Sequence, residues 1–179
     1  RIIDGVEEAK LVMRTPERFF DFHTYQQADM VIKSALKLVS DAYAPAIFSL
    51  STFESGTRAE ESTRQVHETT RDLVTNPFIH LYENILLPTE NWEDYDVVGI
   101  SIIGISQIIP GLTLARMIKE KHPHLHMTLG GPIFSVNAGQ LAGQPEFFDD
   151  FCHSIVTFEG EEPMHRLLSA LKAGTPLNT

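Results

Sequence analysis

The chain of 179 residues has one cysteine, Cys152, and few basic side chains. A single cysteine can form neither an internal disulfide nor the ligand set of an iron–sulfur cluster. The 14 Lys and Arg residues are outnumbered by 24 Asp and Glu, which gives a formal charge of −10. Nucleic acid and anionic membranes would repel such a surface, so neither is expected as a partner. No apolar run approaches the ~20 residues of a membrane span, and we expect a cytoplasmic protein.

The first 44 residues predict a helical extension. Apolar residues recur at steps of three and four from Thr24 to Tyr43, which is the spacing of one helix face. The run 46–51 follows a proline and alternates in polarity, which favours a strand with one wetter face or an edge position. The polar segment 57–74 indicates a helix on the surface, and 77–87 a second short helix or turn.

The rest of the chain alternates strands with helices. Residues 97–103 are almost wholly apolar and β-branched, which predicts a central strand covered on both faces. Further strands are predicted at 126–129 and 154–158, each after a helical segment. This order implies right-handed crossovers and a doubly wound parallel sheet in an α/β domain over residues 45–173. Residues 174–179 have the composition of a linker to a further domain.

A glycine-bearing loop follows each of these three strands. The loops contain Ser101 to Ser106, Gly130 to Pro132, and Glu159 to Glu161. Open α/β sheets bind ligands at the carboxyl ends of their strands, where small residues let a ligand approach and leave loop amides free to donate hydrogen bonds. Each loop alone is typical of a tight turn or a helix start. Together they predict a ligand-binding edge.

Other candidate chemistry is sparse. His122, His124 and His126 are spaced two apart, but a helix that runs into a strand would scatter them, so we interpret them as solvated or paired with the helix dipole. Cys152 is expected to be a small buried or half-buried residue, because no partner base can be assigned to it. No catalytic residue and no metal ligand is predicted.

The strand ends and their flanking residues resemble the cobalamin-binding domain that precedes the catalytic domain in many radical S-adenosylmethionine enzymes. Ser101 and Ile103, followed by Gly130 and Gly131, are similar to the Ser-x-Leu and Gly-Gly signature of cobalamin-binding domains, with Ile103 in the Leu position. The similarity covers residues 94–173. The matching segments are Tyr95 to Ser101, Ser106-Gln107, Pro110 to Lys119, Leu129 to Pro132 and Glu159 to Pro163, and the residues around Tyr43 and Asn76 resemble members that modify ribosomally made peptides.

The resemblance implies a flavodoxin-like, Rossmann-type fold that holds base-off cobalamin. It implies that Gly130 and Gly131 flank the nucleotide tail, that the Ser101 hydroxyl bonds the tail, and that Ile103 forms an apolar wall. A loop after the first strand passes beneath the corrin, and the loop after the third closes the far side. The full set of implied cobalamin contacts is Ser101, Ile103, Gly104, Ile105, Ser106, Gly130, Gly131, Pro132, Glu159 and Gly160.

The same resemblance implies the partner and the reaction. Cobalamin would serve methyl transfer or radical chemistry carried out with the iron–sulfur cluster and S-adenosylmethionine of a C-terminal radical S-adenosylmethionine domain, so this stretch is not catalytic alone. Residues 53–60 contain no histidine where better-known cobalamin domains carry the cobalt ligand, so direct histidine ligation is not expected. Phe158 stands where the family has the first glycine of Gly-Glu-Gly-Glu.

Three other functions are compatible with the residues. The domain could share the fold yet bind no corrin and act as a docking or substrate-recognition module. It could be a flavodoxin-like binder of FMN or another nucleotide, although no Ser- or Thr-rich phosphate loop follows the first clear strand. A receiver-type signalling domain would need an aspartate at the end of a central strand, where Ser101, Gly130 and Glu159 stand instead.

Overall fold

The computed structural model describes residues 2–175, which form two compact units that divide between Arg58 and Ala59. The segment 45–58, assigned from sequence to the α/β domain, groups with the N-terminal helices. Of the predicted linker 174–179, the last four residues lie outside the described residues. No helix in residues 2–175 combines the length and the apolar character that crossing a membrane requires.

The first unit contains three helices and a small hairpin. Asp21 caps its longest helix, since the Asp21 carboxylate accepts a hydrogen bond of 2.8 Å from the Thr24 amide. Ala9 and Val12 of the first helix pack with Ala28 of the third to form the core of the unit. The elements are α1 (Ile2–Arg14), α2 (Pro16–Phe19), α3 (Phe22–Ala42), β1 (Ile47–Phe48) and β2 (Phe53–Glu54).

The run 46–51 does not form an edge strand of the parallel sheet. Its residues Ile47 and Phe48 pair antiparallel with β2 in a separate two-stranded sheet. The Ser49 hydroxyl accepts hydrogen bonds from the amides of Ser51 and Thr52, which reverses the chain immediately after β1. These hydrogen bonds stabilise the turn across which β1 pairs with β2.

The second unit carries the parallel sheet. Its elements are α4 (Thr63–Thr69), α5 (Pro77–Leu81), β3 (Val97–Ser101), α6 (Ile108–Lys121), β4 (His126–Gly130), α7 (Pro132–Leu141), α8 (Pro145–Phe151), β5 (Ser154–Val156) and α9 (Glu161–Ala173), joined by 3₁₀ turns and a π-helical turn at Tyr82–Leu86. Asn76 ties the start of α5 to α6, because its side-chain amide donates to the Thr113 hydroxyl at 2.8 Å while its carbonyl caps the Phe78 amide. The core centres on α6 and β4.

The three strands are parallel and ordered β3-β4-β5. The predicted α/β class with a parallel sheet is thus confirmed. The prediction that residues 97–103 form a central strand is wrong, because β3 lies at one edge of the described sheet and β4 is central. Val98 and Ile100 are only half-buried, whereas Met127 and Leu129 of β4 are fully buried.

Candidate functional site

The loops that follow the three parallel strands meet at one edge of the sheet. Ser101 is in register with Gly130, and Gly130 with Val156, so the strands end at the same level. The Ile102 amide donates to the Gly130 carbonyl at 2.8 Å, which joins the first two loops. The Phe158 amide donates to the Ser135 hydroxyl of α7 at 2.7 Å, which joins the third. This edge brings together the segments that the sequence analysis placed there.

The two faces of the sheet differ in chemistry. In-register neighbours of parallel strands point to the same side, so every second residue defines a face. One face is apolar and carries Val98, Ile100, Met127, Leu129 and Ile155. The other face carries Val97 and His126 at its amino end, followed by Gly99, Ser101, Thr128, Gly130, Ser154 and Val156, and we call this second group the small-residue face.

The small-residue face is only partly covered. A Cβ added at Gly99 would lie 4.0 Å from the Met164 Cε, which places α9 over this part of the face. Ser101, one step nearer the carboxyl edge, is exposed, and Gly130 beside it is half-buried. The face therefore opens towards the loops.

The glycines at this edge differ in whether the fold requires them. Gly131 has a φ of +107°, and an added Cβ would lie 2.3 Å from the Ile102 carbonyl oxygen, so the fold itself requires glycine there. At Gly130 the nearest atom to an added Cβ is the Val156 carbonyl oxygen at 3.5 Å, which is ordinary contact. Gly104 has nothing within 4 Å. Gly104 and Gly130 thus provide space that the fold does not use.

The loop between β3 and α6 is organised by Gln107, which the sequence analysis did not single out as a site residue. The Gln107 side-chain carbonyl accepts from the Ile103 amide at 2.8 Å and from the Gly104 amide at 3.4 Å. These amides are therefore engaged within the loop and are not free to donate to a ligand. Ile103 and Ile105 are each 66% exposed, so both present apolar surface to solvent, while Ser106 is half-buried.

The loop between β5 and α9 contains a strained residue. Phe158 has a φ of +59°, in the left-handed region that favours glycine, and its side chain is 84% exposed. The ring therefore does not fill the space between the loops. Glu159 is exposed and Gly160 is half-buried, with an added Cβ at Gly160 only in ordinary contact with Val156. Ser135, also missed from sequence, accepts from the Phe158 amide and donates to the Gly131 carbonyl.

Exposed apolar side chains occur in each of the connections that follow the three strands. We call the set of Ile103, Ile105, Val136 and Phe158 the apolar rim; each is at least 66% exposed, and together they come from all three connections. The edge can therefore offer a ligand an apolar surface, one hydroxyl at Ser101 and a face of small residues.

Comparison with protein-family models, with curated proteins and with solved structures finds no match to this chain.

The histidines singled out in the sequence lie apart from the carboxyl edge. The His122 ring stacks on Trp92 at 5.2 Å, and a His124 ring nitrogen lies 3.3 Å from the Trp92 carbonyl oxygen. His126 pairs with the Ser154 hydroxyl at 2.9 Å, and burial lowers its pKa. Within residues 2–175, no three His, Cys, Asp or Glu side chains are placed to hold a metal ion together.

Cys152 is buried beside β5. Burial raises the pKa of this thiol to about 12, which outweighs the opposite influence of Lys119. A thiol with such a pKa is protonated at neutral pH and is a poor nucleophile.

A charged cluster joins α4 to α8 and gave no sequence signal. Arg71 donates to the Asp150 carboxylate at 2.9 Å, and a His67 ring nitrogen contacts the same oxygen. Burial alone would raise the pKa of Asp150, but the hydrogen bonds from Arg71 and His67 outweigh it and lower that pKa. The partners are distant in sequence, so spacing could not have revealed the cluster.

Proposed function

We propose that this chain provides the cobalamin-binding domain of a radical S-adenosylmethionine enzyme, built on a flavodoxin-like fold. The observation that supports it most is the small-residue face opening onto three converging loops. A nucleotide tail needs a narrow passage beside the strands, and Ser101 and Gly130 leave that space while the opposite face is filled with apolar side chains.

The residues of the edge fit the parts of cobalamin. The tail lies against Ser101, Gly130 and Gly131, with the Ser101 hydroxyl as its hydrogen-bonding partner. Gly104 leaves room beneath the corrin, and the exposed Ile103 offers it apolar contact. The remaining contacts are Ile105, Ser106, Pro132, Glu159 and Gly160.

Binding in this way does not use a histidine. The loops that follow β3, β4 and β5 contain no imidazole, and the described histidines pair with other groups or lie elsewhere. Bound cobalamin would supply methyl transfer or radical chemistry together with the iron–sulfur cluster and S-adenosylmethionine of a C-terminal domain. The role of this chain is to orient the corrin and to shield its lower face.

Titration with hydroxocobalamin tests the proposal. We expect the visible spectrum to change to the base-off form as the protein binds. The variant Gly130→Val places a branched side chain on the small-residue face, with its Cβ in ordinary contact with the Val156 carbonyl oxygen, and it should weaken binding by at least about tenfold, because the side chain occupies the space that the nucleotide tail needs. Gly139→Ala is the matched control, because an added Cβ there meets nothing within 4 Å and α7 accepts alanine.

The outcomes separate the proposal from its alternatives. No spectral change at millimolar cobalamin, with the chain folded, would contradict it and favour a corrin-free docking module, for which the apolar rim is the supporting observation. Quenching of FMN fluorescence in a parallel titration would instead favour a nucleotide binder. Equal cobalamin affinity of Gly130→Val and Gly139→Ala would show that the small-residue face does not contact cobalamin.

A further inference from the structure

A cavity lies in the same unit, between the start of α4, α6 and α7. Its volume is about 160 Å³. Cavities of ~150 Å³ lined by apolar side chains hold one benzene-sized ring. None of the ten residues assigned to cobalamin lines it. A ligand in this cavity would therefore be independent of the proposed function.

One side of the cavity is apolar. Val66 of α4, Leu112 of α6 and Leu141 of α7 are buried and line it, together with the rings of Phe134 and Phe147. The two rings lie 6.2 Å apart at an interplanar angle of 57°. This side suits a flat apolar ring, because aromatic side chains prefer tilted or offset partners at such distances.

The other side is lined by carboxamides. Asn137 and Gln140 lie three residues apart on one side of α7, and Gln144 follows the turn that ends this helix. Within the described residues the Gln140 and Gln144 side chains make no hydrogen bond, and Asn137 donates only to the Ile133 carbonyl. Each carboxamide has both a donor and an acceptor, so the group matches a ligand that presents both at neighbouring atoms.

The charged residues around the cavity further restrict the class of ligand that it can bind. Glu60 and Glu61 contribute to its lining, and no Lys, Arg or His does so among the residues that the structure describes. A carboxylate or phosphate would lose hydration without gaining a cationic partner. We propose that this cavity binds a small, neutral, one-ring ligand with a carboxamide or lactam edge.

Binding of benzamide, followed by NMR on the whole chain, tests this inference. Benzoate, benzylammonium and toluene serve as probes of the same size with an anionic, a cationic and an apolar group. We expect benzamide to shift the side-chain amide resonances of Asn137, Gln140 and Gln144, and to bind roughly tenfold more tightly than toluene, which makes no hydrogen bond, or benzoate, whose charge would lose hydration without a cationic partner.

Variants of the carboxamides locate the site. Gln140→Ala combined with Gln144→Ala should weaken benzamide binding roughly tenfold, since both residues lie at the protein surface and their loss spares the core. Gln65→Ala is the matched control, an exposed glutamine of α4 outside the cavity lining. Unchanged binding in the double variant, equal affinity for toluene, or tighter binding of benzylammonium would each overturn the inference, whatever the cobalamin titration shows.

Discussion

At the scale of single residues, Gly131 belongs to a sequence motif that has two alternative physical explanations. A Gly-Gly pair after a strand is compatible with a tight turn and with a ligand seat. The structure gives Gly131 a positive φ and places the Ile102 carbonyl where its Cβ would be, so packing between two loops accounts for it. The partner lies far away in sequence, which is why the pattern alone could not separate the causes.

Phe158 provides a prediction at the same scale. An L-residue in the left-handed region carries a backbone strain of about 1–2 kcal/mol that glycine avoids. Phe158→Gly should therefore be about 1 kcal/mol more stable to unfolding than Phe158→Ala, because alanine keeps the strain and glycine does not. Urea denaturation of the two variants, followed by circular dichroism, measures the difference.

Val136 is the matched control for this pair. It is 84% exposed, like Phe158, but lies in helix α7 with ordinary helical geometry. There Val136→Gly should be less stable than Val136→Ala by about 1 kcal/mol, the reverse of the order at Phe158. The same order at both positions would contradict the assignment of strain to the Phe158 backbone.

At the scale of elements, the alternation of strands and helices predicted β3, β4 and β5 and their parallel direction. The spacing of apolar residues within each strand or helix can be recognised locally, because each element must bury an apolar face. The predicted helix 57–74 is limited to Thr63–Thr69, because Asp72 accepts hydrogen bonds from the Val74 amide and the Thr75 hydroxyl and so stabilises a turn. Composition alone does not predict where side-chain hydrogen bonds of this kind will stabilise a turn in place of a helix.

The contact between α4 and α8 predicts a dependence of stability on pH. The lowered pKa of Asp150 means that its carboxylate stabilises the fold above the ordinary value of 3.8 and that this contribution is lost as pH falls through the folded pKa. Asp150→Asn should therefore reduce the free energy of unfolding by about 1 kcal/mol at neutral pH, because the amide cannot replace the ion pair with Arg71.

Urea denaturation of Asp150→Asn and of the parent chain between pH 7 and pH 3 measures this effect. The gap between the two should close as the pH falls below 3.8. Asp149→Asn is the control, since that neighbouring side chain is exposed and its substitution should leave stability nearly unchanged at every pH. A gap of constant size across this range would show that the carboxylate charge is not responsible.

At the scale of the whole molecule, the site depends on contacts that no local pattern contains. The three loops could be placed at one edge from the parallel sheet alone, because that rule follows from topology. The edge position of β3 and the grouping of 45–58 with the first unit depend on which segments pair, and β1 pairs with β2 across a turn that the Ser49 hydroxyl stabilises. The sequence thus predicts which loops share this edge better than it predicts which segments surround them.

The buried thiol allows the opening of the second unit to be measured in the intact protein. Cys152 is 1% exposed, and burial raises its pKa to about 12, so a thiol reagent can react only after the surrounding structure opens. Because the chain has no other cysteine, each labelled molecule gains a single mass increment. We expect labelling at neutral pH to be slower than in urea-unfolded chain by orders of magnitude.

Substitutions in and around the sheet should change this labelling rate in a defined order. Leu129 is a fully buried residue of β4 and pairs with β5, the strand that follows Cys152. Leu129→Ala should lower the free energy of unfolding by about 2–5 kcal/mol. Labelling should then accelerate by roughly thirtyfold or more, since opening becomes more favourable by that free energy. Ile103→Ala, which shortens an exposed side chain, should leave the rate almost unchanged. Equal acceleration by both variants would mean that Cys152 reacts through a local movement of its own loop, and that the sheet is not the unit whose opening exposes it.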